Sequence, residues 1–140
     1  MHYATHEASF ATSASLVDGT VNRLAYRRPN GKLEIFVTRT LAQRKSLPEL
    51  TAIRLRDQQR ALPFYELGGR AERTVASRAV VDVRITFDAA GARAYQRSAS
   101  FLVDFRMLVI AVQGPIALEA EIDAAFEHLL ATLTFRASDC

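Results

Sequence analysis

The chain has 140 residues, about half of them apolar (49%) and a quarter charged (24%), which excludes a disordered or fibrous protein and leaves room for one domain with a real core. The net charge of +3 rests on 18 basic residues, nearly all Arg, scattered from Arg23 to Arg136 without a dense block, so charge gives no nucleic-acid footprint. The single Cys, Cys140, can form no internal disulfide, and the polar opening Met1 to Glu7 carries no apolar run of signal-peptide length, so a cytoplasmic location is expected.

Tyr3 to Ala11 reads as a short strand, and Ser13 to Gly19 as a turn region. Thr20 to Arg27 alternates, with Val21, Arg23 and Ala25 against Asn22, Leu24 and Tyr26. Arg28-Pro29-Asn30-Gly31 is a reversal, because Asn-Gly favours positive φ. Lys32 to Thr40 returns as a second hairpin arm, with Leu33, Ile35 and Val37 on one face and Glu34, Phe36 and Thr38 on the other.

Ser46-Leu47-Pro48-Glu49 is a helix start. Ser46 can cap, Pro48 lies in the first turn, and Glu49 stands three residues after the cap. The helix runs to about Leu62, where Pro63 stops it, and carries two competing stripes: Leu50, Ile53, Asp57 and Ala61, or Leu50, Arg54 and Gln58. Gly68-Gly69 is expected as a turn, and Ala71 to Ala76 as a strand.

The stretch from Arg78 to Gly114 holds the strongest signal, three consecutive antiparallel strands. Ala79, Val81, Val83, Ile85 and Phe87 alternate with Val80, Asp82, Arg84 and Thr86. Asp88 to Gly91 supplies a turn. Ala94 to Val103 has Tyr95, Ala99, Phe101 and Val103 on one face and Gln96, Ser98 and Ser100 on the other. Asp104 to Arg106 reverses the chain into the apolar strand Met107 to Val112, covered on both faces. Ile116 to Leu133 then places Leu118, Ile122, Ala125, Phe126, Leu129, Leu130 and Leu133 at helical spacing.

This order predicts an α+β fold: a mainly antiparallel, twisted sheet of about six to seven strands with two main helices. Both helices are expected on one sheet face, over Leu33, Ile35, Val37, Val81, Val83, Ile85, Phe101 and Val103. The other face is expected open, carrying Asn22, Leu24, Tyr26, Glu34, Phe36, Thr38, Gln96, Ser98 and Ser100. Two readings fit that mixture of apolar and hydrogen-bonding side chains: a concavity for a peptide or helix partner, or an ordinary half-exposed sheet.

Catalytic chemistry finds little support. His2, His6 and His128 lack metal-site spacing, and His128 suits the C-terminal end of its helix. Asp82, Arg84 and Asp104 fit surface ion pairs better than an acid–base couple. No Gly-x-Ser-x-Gly elbow occurs, and Gly68-Gly69-Arg70 lacks the spacing of a phosphate loop. No enzyme activity, metal or cofactor is expected.

Several segments, taken in order, resemble the DcrB-like family. They are Tyr3 with Glu7-Ala8-Ser9-Phe10, then Asp18 to Leu24, and Leu33 to Arg39. Leu47-Pro48-Glu49-Leu50 with Arg56-Asp57-Gln58-Gln59 is similar to the family's first helix, Ala94 to Phe101 to its Gln-rich strand, and Leu130 to Phe135 to its closing helix end. Leu16-Val17 stand where the family carries a Trp. The resemblance implies a Mog1/PsbP-like α/β/α sandwich. It also implies the role of family members known as Eag chaperones. These bind the N-terminal transmembrane helices of a PAAR-containing type VI secretion effector and keep them soluble until loading on the secretion spike, often as homodimers.

On that reading the expected client grip is Asn22, Leu24, Phe36, Thr38, Gln96 and Ser98, with Gln59 at the helix edge. Two other classes stay open: a non-catalytic accessory module of the same fold acting on a folded partner, and an enzyme, which would need a pocket with convergent polar groups.

Overall fold

Alternating apolar residues between Arg78 and Pro115 produce the three long strands at the centre of the molecule. The computed structural model describes the backbone of residues 2–4, 8–11, 17–20, 23–28 and 31–135, and the side chains of 33–133. Strands β1 (His2–Ala4), β2 (Ala8–Ala11), β3 (Val17–Thr20), β4 (Arg23–Arg28) and β5 (Gly31–Leu41) precede helix α1 (Leu47–Ala61). Strands β6 (Glu66–Val75), β7 (Arg78–Ala89), β8 (Ala92–Val103) and β9 (Arg106–Pro115) follow. A 3₁₀ turn (Ile116–Leu118), helix α2 (Glu119–Ala131) and β10 (Thr134–Phe135) complete the described chain.

The main sheet is antiparallel throughout, in the order β3-β4-β5-β9-β8-β7-β6, and β1, β2 and β10 form a second, smaller sheet. The hairpin between β7 and β8 turns at Ala90 and Gly91, both at positive φ, the requirement of a tight two-residue hairpin turn. Gly68-Gly69 is not a turn. It lies inside β6 at a register shift between Leu67 and Gly69, where the Arg84 carbonyl oxygen would stand 3.4 Å from a Cβ on Gly68.

Helix α1 starts as its sequence dictates. The Glu49 amide donates to Ser46 Oγ at 3.3 Å, and Ser46 Oγ donates to Glu49 Oε1 at 3.1 Å, a side-chain N-cap with Pro48 in the first turn. In α2 the predicted stripe of Ile122, Ala125, Phe126, Leu129 and Leu130 is buried, with Leu118 before it and Leu133 after it.

The two helices lie on opposite faces of the sheet, which corrects the expectation that they share one. Helix α2 packs on β8 and β9 over Leu33, Ile35, Val37, Ala99, Phe101, Val103, Leu108, Ile110 and Val112. Helix α1 packs on β7 and β8 over Val81, Val83, Ile85, Phe87, Ala94, Met107 and Val109. Val81, Val83 and Ile85 therefore belong with Gln96, Ser98 and Ser100, not with Leu33 and Phe101. The cross-strand register decides this: Val81 pairs with Ser100, Val83 with Ser98 and Ile85 with Gln96. Alternation groups residues within a strand, whereas pairing groups them between strands.

Candidate functional site

Helix α1 covers the β7–β8 side of its face and leaves the β5–β9 side open. Between them runs a groove of about 520 Å³. Leu50, Ile53, Ala61 and Leu62 of the helix segment form one wall, Thr38 and Thr40 of β5 the other, and Phe87, Met107 and Val109 the apolar floor. Both stripes read from the helix sequence line this groove, because residues three and four apart share a broad helix face.

A polar strip crosses the floor. Arg54 donates from Nη1 to Ser98 Oγ at 3.1 Å and from Nη2 to Gln96 Oε1 at 3.2 Å. Gln58 Nε2 donates to the same Gln96 oxygen at 3.3 Å, and Gln96 Nε2 donates to Gln113 Oε1 at 2.8 Å. Gln58 Oε1 is buried without a partner. Burial pushes the Arg54 guanidinium down to about 10, with Tyr65 opposing, and the same burial raises the Tyr65 phenol.

The opposite face is closed and differently charged. Arg97, 2% exposed, lies under α2 with Nη2 donating to Asp82 Oδ2 at 2.5 Å and to Glu127 Oε1 at 3.1 Å, and Nη1 to Asp123 Oδ1 at 3.3 Å. Its guanidinium carbon sits 4.2 Å from the centroid of the Phe126 ring. Arg73 bridges both of Glu127's oxygens and Asp82, and the Tyr95 hydroxyl donates to Asp123 at 2.6 Å. Burial works against the charge on Arg97, but the hydrogen bond and attraction of Asp82, joined by Asp123, outweigh it and hold Arg97 above its ordinary value. Asp82 is thus a buried partner of a core guanidinium, not half of a surface ion pair. Arg97 and Asp82 are buried beneath α2, while Arg73, Asp123 and Glu127 form the solvent-facing rim of the network.

The expected grip residues separate. Thr38 is exposed and lines the groove, and Gln96 lies on its floor. Phe36 is half-buried on the same face, opposite Ala111. Ser98 is 1% exposed, held under α1 by Arg54. Gln59 is exposed and stands outside the groove lining, where its neighbour Gln58 takes the inward position. Leu24 pairs in register with Ile35, and Arg23 with Phe36; the Leu24 side chain and Asn22 lie outside the described residues. Sequence reasoning passed over Arg54, Gln58, Thr40, Met107, Val109 and Gln113. The stripe Leu50, Arg54, Gln58 pointed to two of them; the rest depended on where α1 would settle.

Among the described residues no cluster of three or more His, Cys, Asp or Glu is placed to hold a metal. No described helix is long and apolar enough to cross a membrane.

The fold is similar to that of several solved structures. A Pseudomonas aeruginosa protein of unknown function superposes with a TM-score of 0.76 at 16% identity, covering 99% of this chain and 98% of that one. LpqN, involved in cell envelope biogenesis of Mycobacterium tuberculosis, gives 0.69 at 10% identity, over 93% and 83% of the two chains. Cyanobacterial PsbP from Synechocystis sp. PCC 6803 gives 0.65 at 8% identity, over 97% and 92%. At these identities the likeness concerns the fold, which is PsbP-like with two helices and one antiparallel main sheet. No curated protein sequence matches the chain. The DcrB family matches residues 7–132, nearly the whole length, and the chain belongs to that family.

Proposed function

We propose that this chain is a non-catalytic, cytoplasmic effector-associated chaperone. It shields N-terminal transmembrane helices of a PAAR-containing type VI secretion effector and supports loading of that effector on the secretion spike, acting as a homodimer. The observation that carries this reading is the open groove beside α1, with an apolar helix wall, a threonine wall and an apolar floor crossed by an amide strip. Membership of the DcrB family supports it as well.

The dimensions suit one face of a helix. Two helical turns occupy a cylinder roughly 10 Å across and 11 Å long, or roughly 860 Å³. A groove of about 520 Å³ accepts the side chains of one face and leaves the rest of the helix outside. Ile53, Ala61 and Leu62, the accessible apolar side chains of the lining, remove client apolar surface from water at about 25 cal/mol per Å². The Gln96–Gln113 pair and the two threonines give hydrogen bonds to a client's small or polar positions.

The test is co-expression with the N-terminal region of a PAAR-containing effector encoded beside this gene, followed by size-exclusion chromatography with light scattering. A soluble complex holding two copies of this chain per client is expected. Thr38→Lys, a change at an exposed position of the groove wall, should leave the melting temperature unaltered and lose the complex. A soluble chaperone beside an insoluble client would sink the reading and leave an accessory module that binds a folded partner.

A further inference from the structure

Arg54 points to the chemistry of what enters the groove. Arg54 lines the cavity, and the hydrogen bonds of its guanidinium go to neutral acceptors, Ser98 Oγ and Gln96 Oε1. Among the described residues no carboxylate approaches it within the 4.0 Å of an ion pair. Asp57, the acidic residue lining the same groove, is exposed and faces Arg56 at 4.0 Å instead. The buried guanidinium on the other face, Arg97, has three carboxylates around it.

Resting on the chaperone reading above, we propose that the groove selects an apolar client segment that carries one carboxylate, an Asp or Glu side chain, and that this group pairs with Arg54. The client's carboxylate displaces solvent from the exposed side of the guanidinium while its apolar neighbours cover Met107 and Val109. A segment without an acid would seal a cation under apolar surface with no counter-charge, a cost that discriminates against it. A segment with one gains a charge-assisted hydrogen bond in a partly dry setting, where such bonds are shorter and stronger than neutral ones. The unpartnered Gln58 Oε1 beside Arg54 adds an acceptor for a donor on the same segment. The lowered proton affinity of Arg54 fits a site awaiting its anion, since desolvation leads and no acid compensates it.

The probes are two fluorophore-labelled Leu/Ala peptides of about 18 residues, with Lys pairs at both capped ends and a central Glu in one and Gln in the other. Anisotropy titration with the full chain at neutral pH and low salt should show the Glu peptide binding about tenfold more tightly, the worth of one charge-assisted bond. Arg54→Gln should erase that preference while still melting cooperatively. Equal affinity of the wild-type chain for both peptides would overturn the role of Arg54 and leave the helix-binding reading standing. A preference that survives in Arg54→Gln would overturn it too. Failure of the folded wild-type chain to bind either peptide would overturn both. The comparison between peptides uses the unaltered protein, so it holds even where the variant folds poorly.

Discussion

Each face of the main sheet has an arginine between sheet and helix, Arg97 from the sheet and Arg54 from the helix, and the two are treated in opposite ways. Under α2, Arg97 meets Asp82, Asp123 and Glu127, lies against Phe126, and is shut from solvent. On the other face, Arg54 reaches from α1 to a serine and a glutamine of β8 and lines an open groove. The first arrangement supplies its own counter-charges, although Asp82 Oδ1 and Arg97 Nε within it stay without a hydrogen-bond partner. The second is complete only as far as neutral groups can make it. A buried charge neutralised by carboxylates of its own chain serves the fold, whereas one held by neutral acceptors at a cavity wall is a candidate for a ligand's counter-charge.

The largest test of this contrast is Asp82→Ala. It strips the closest partner from a guanidinium that is 2% exposed, and should cost about 3–5 kcal/mol in denaturant unfolding. Adding Arg97→Met to that variant should recover part of the loss, because the stranded charge is then gone. A single variant as stable as wild type would mean that the network contributes nothing. Arg54→Gln supplies the counterpart. Losing two hydrogen bonds to neutral groups and the burial of a cation together should change stability by less than about 1 kcal/mol. A larger loss would assign Arg54 to the fold and weaken its place in the groove.

The smallest effect is one of pH. The Arg73 hydrogen bond holds the Glu127 carboxyl below its ordinary value; burial opposes this, and the charges of Arg73 and Arg97 reinforce it. A carboxylate with a lowered folded-state pKa stabilises the protein above its unfolded value and loses that contribution as pH falls through the folded one. Glu127→Gln should therefore be less stable than wild type at neutral pH, and the difference should close below about pH 4. Melting curves across that range would show a constant gap if the Arg73–Glu127 pair carried no such linkage.

Much of the chain was legible before its structure. The Ser46 cap with Glu49, the stop at Pro63, the alternation of Val81, Val83, Ile85 and Phe87, and the α2 stripe all follow from local rules, the strands with a period of two and the helix with one of about three and a half. Gly68-Gly69 was misleading, because glycine serves a bulge as readily as a turn. Thr38 and Gln96 were legible as groove residues, since alternation set them apart from the apolar face of their strands. Gln59 was not separable from Gln58 without the rotation of α1 about its axis.

The sequence by itself determined the elements, their order and the apolar stripe of each helix, because these depend on neighbours within a few residues. Only the tertiary structure decided which stripes meet. The pairing of Val83 with Ser98 and of Ser98 with Ala111 puts small side chains beneath α1 and lets the helix settle there, on the face opposite α2. That placement, fixed by register between strands distant in sequence, opens the groove and brings Arg54 to Gln96 across forty-two positions of chain.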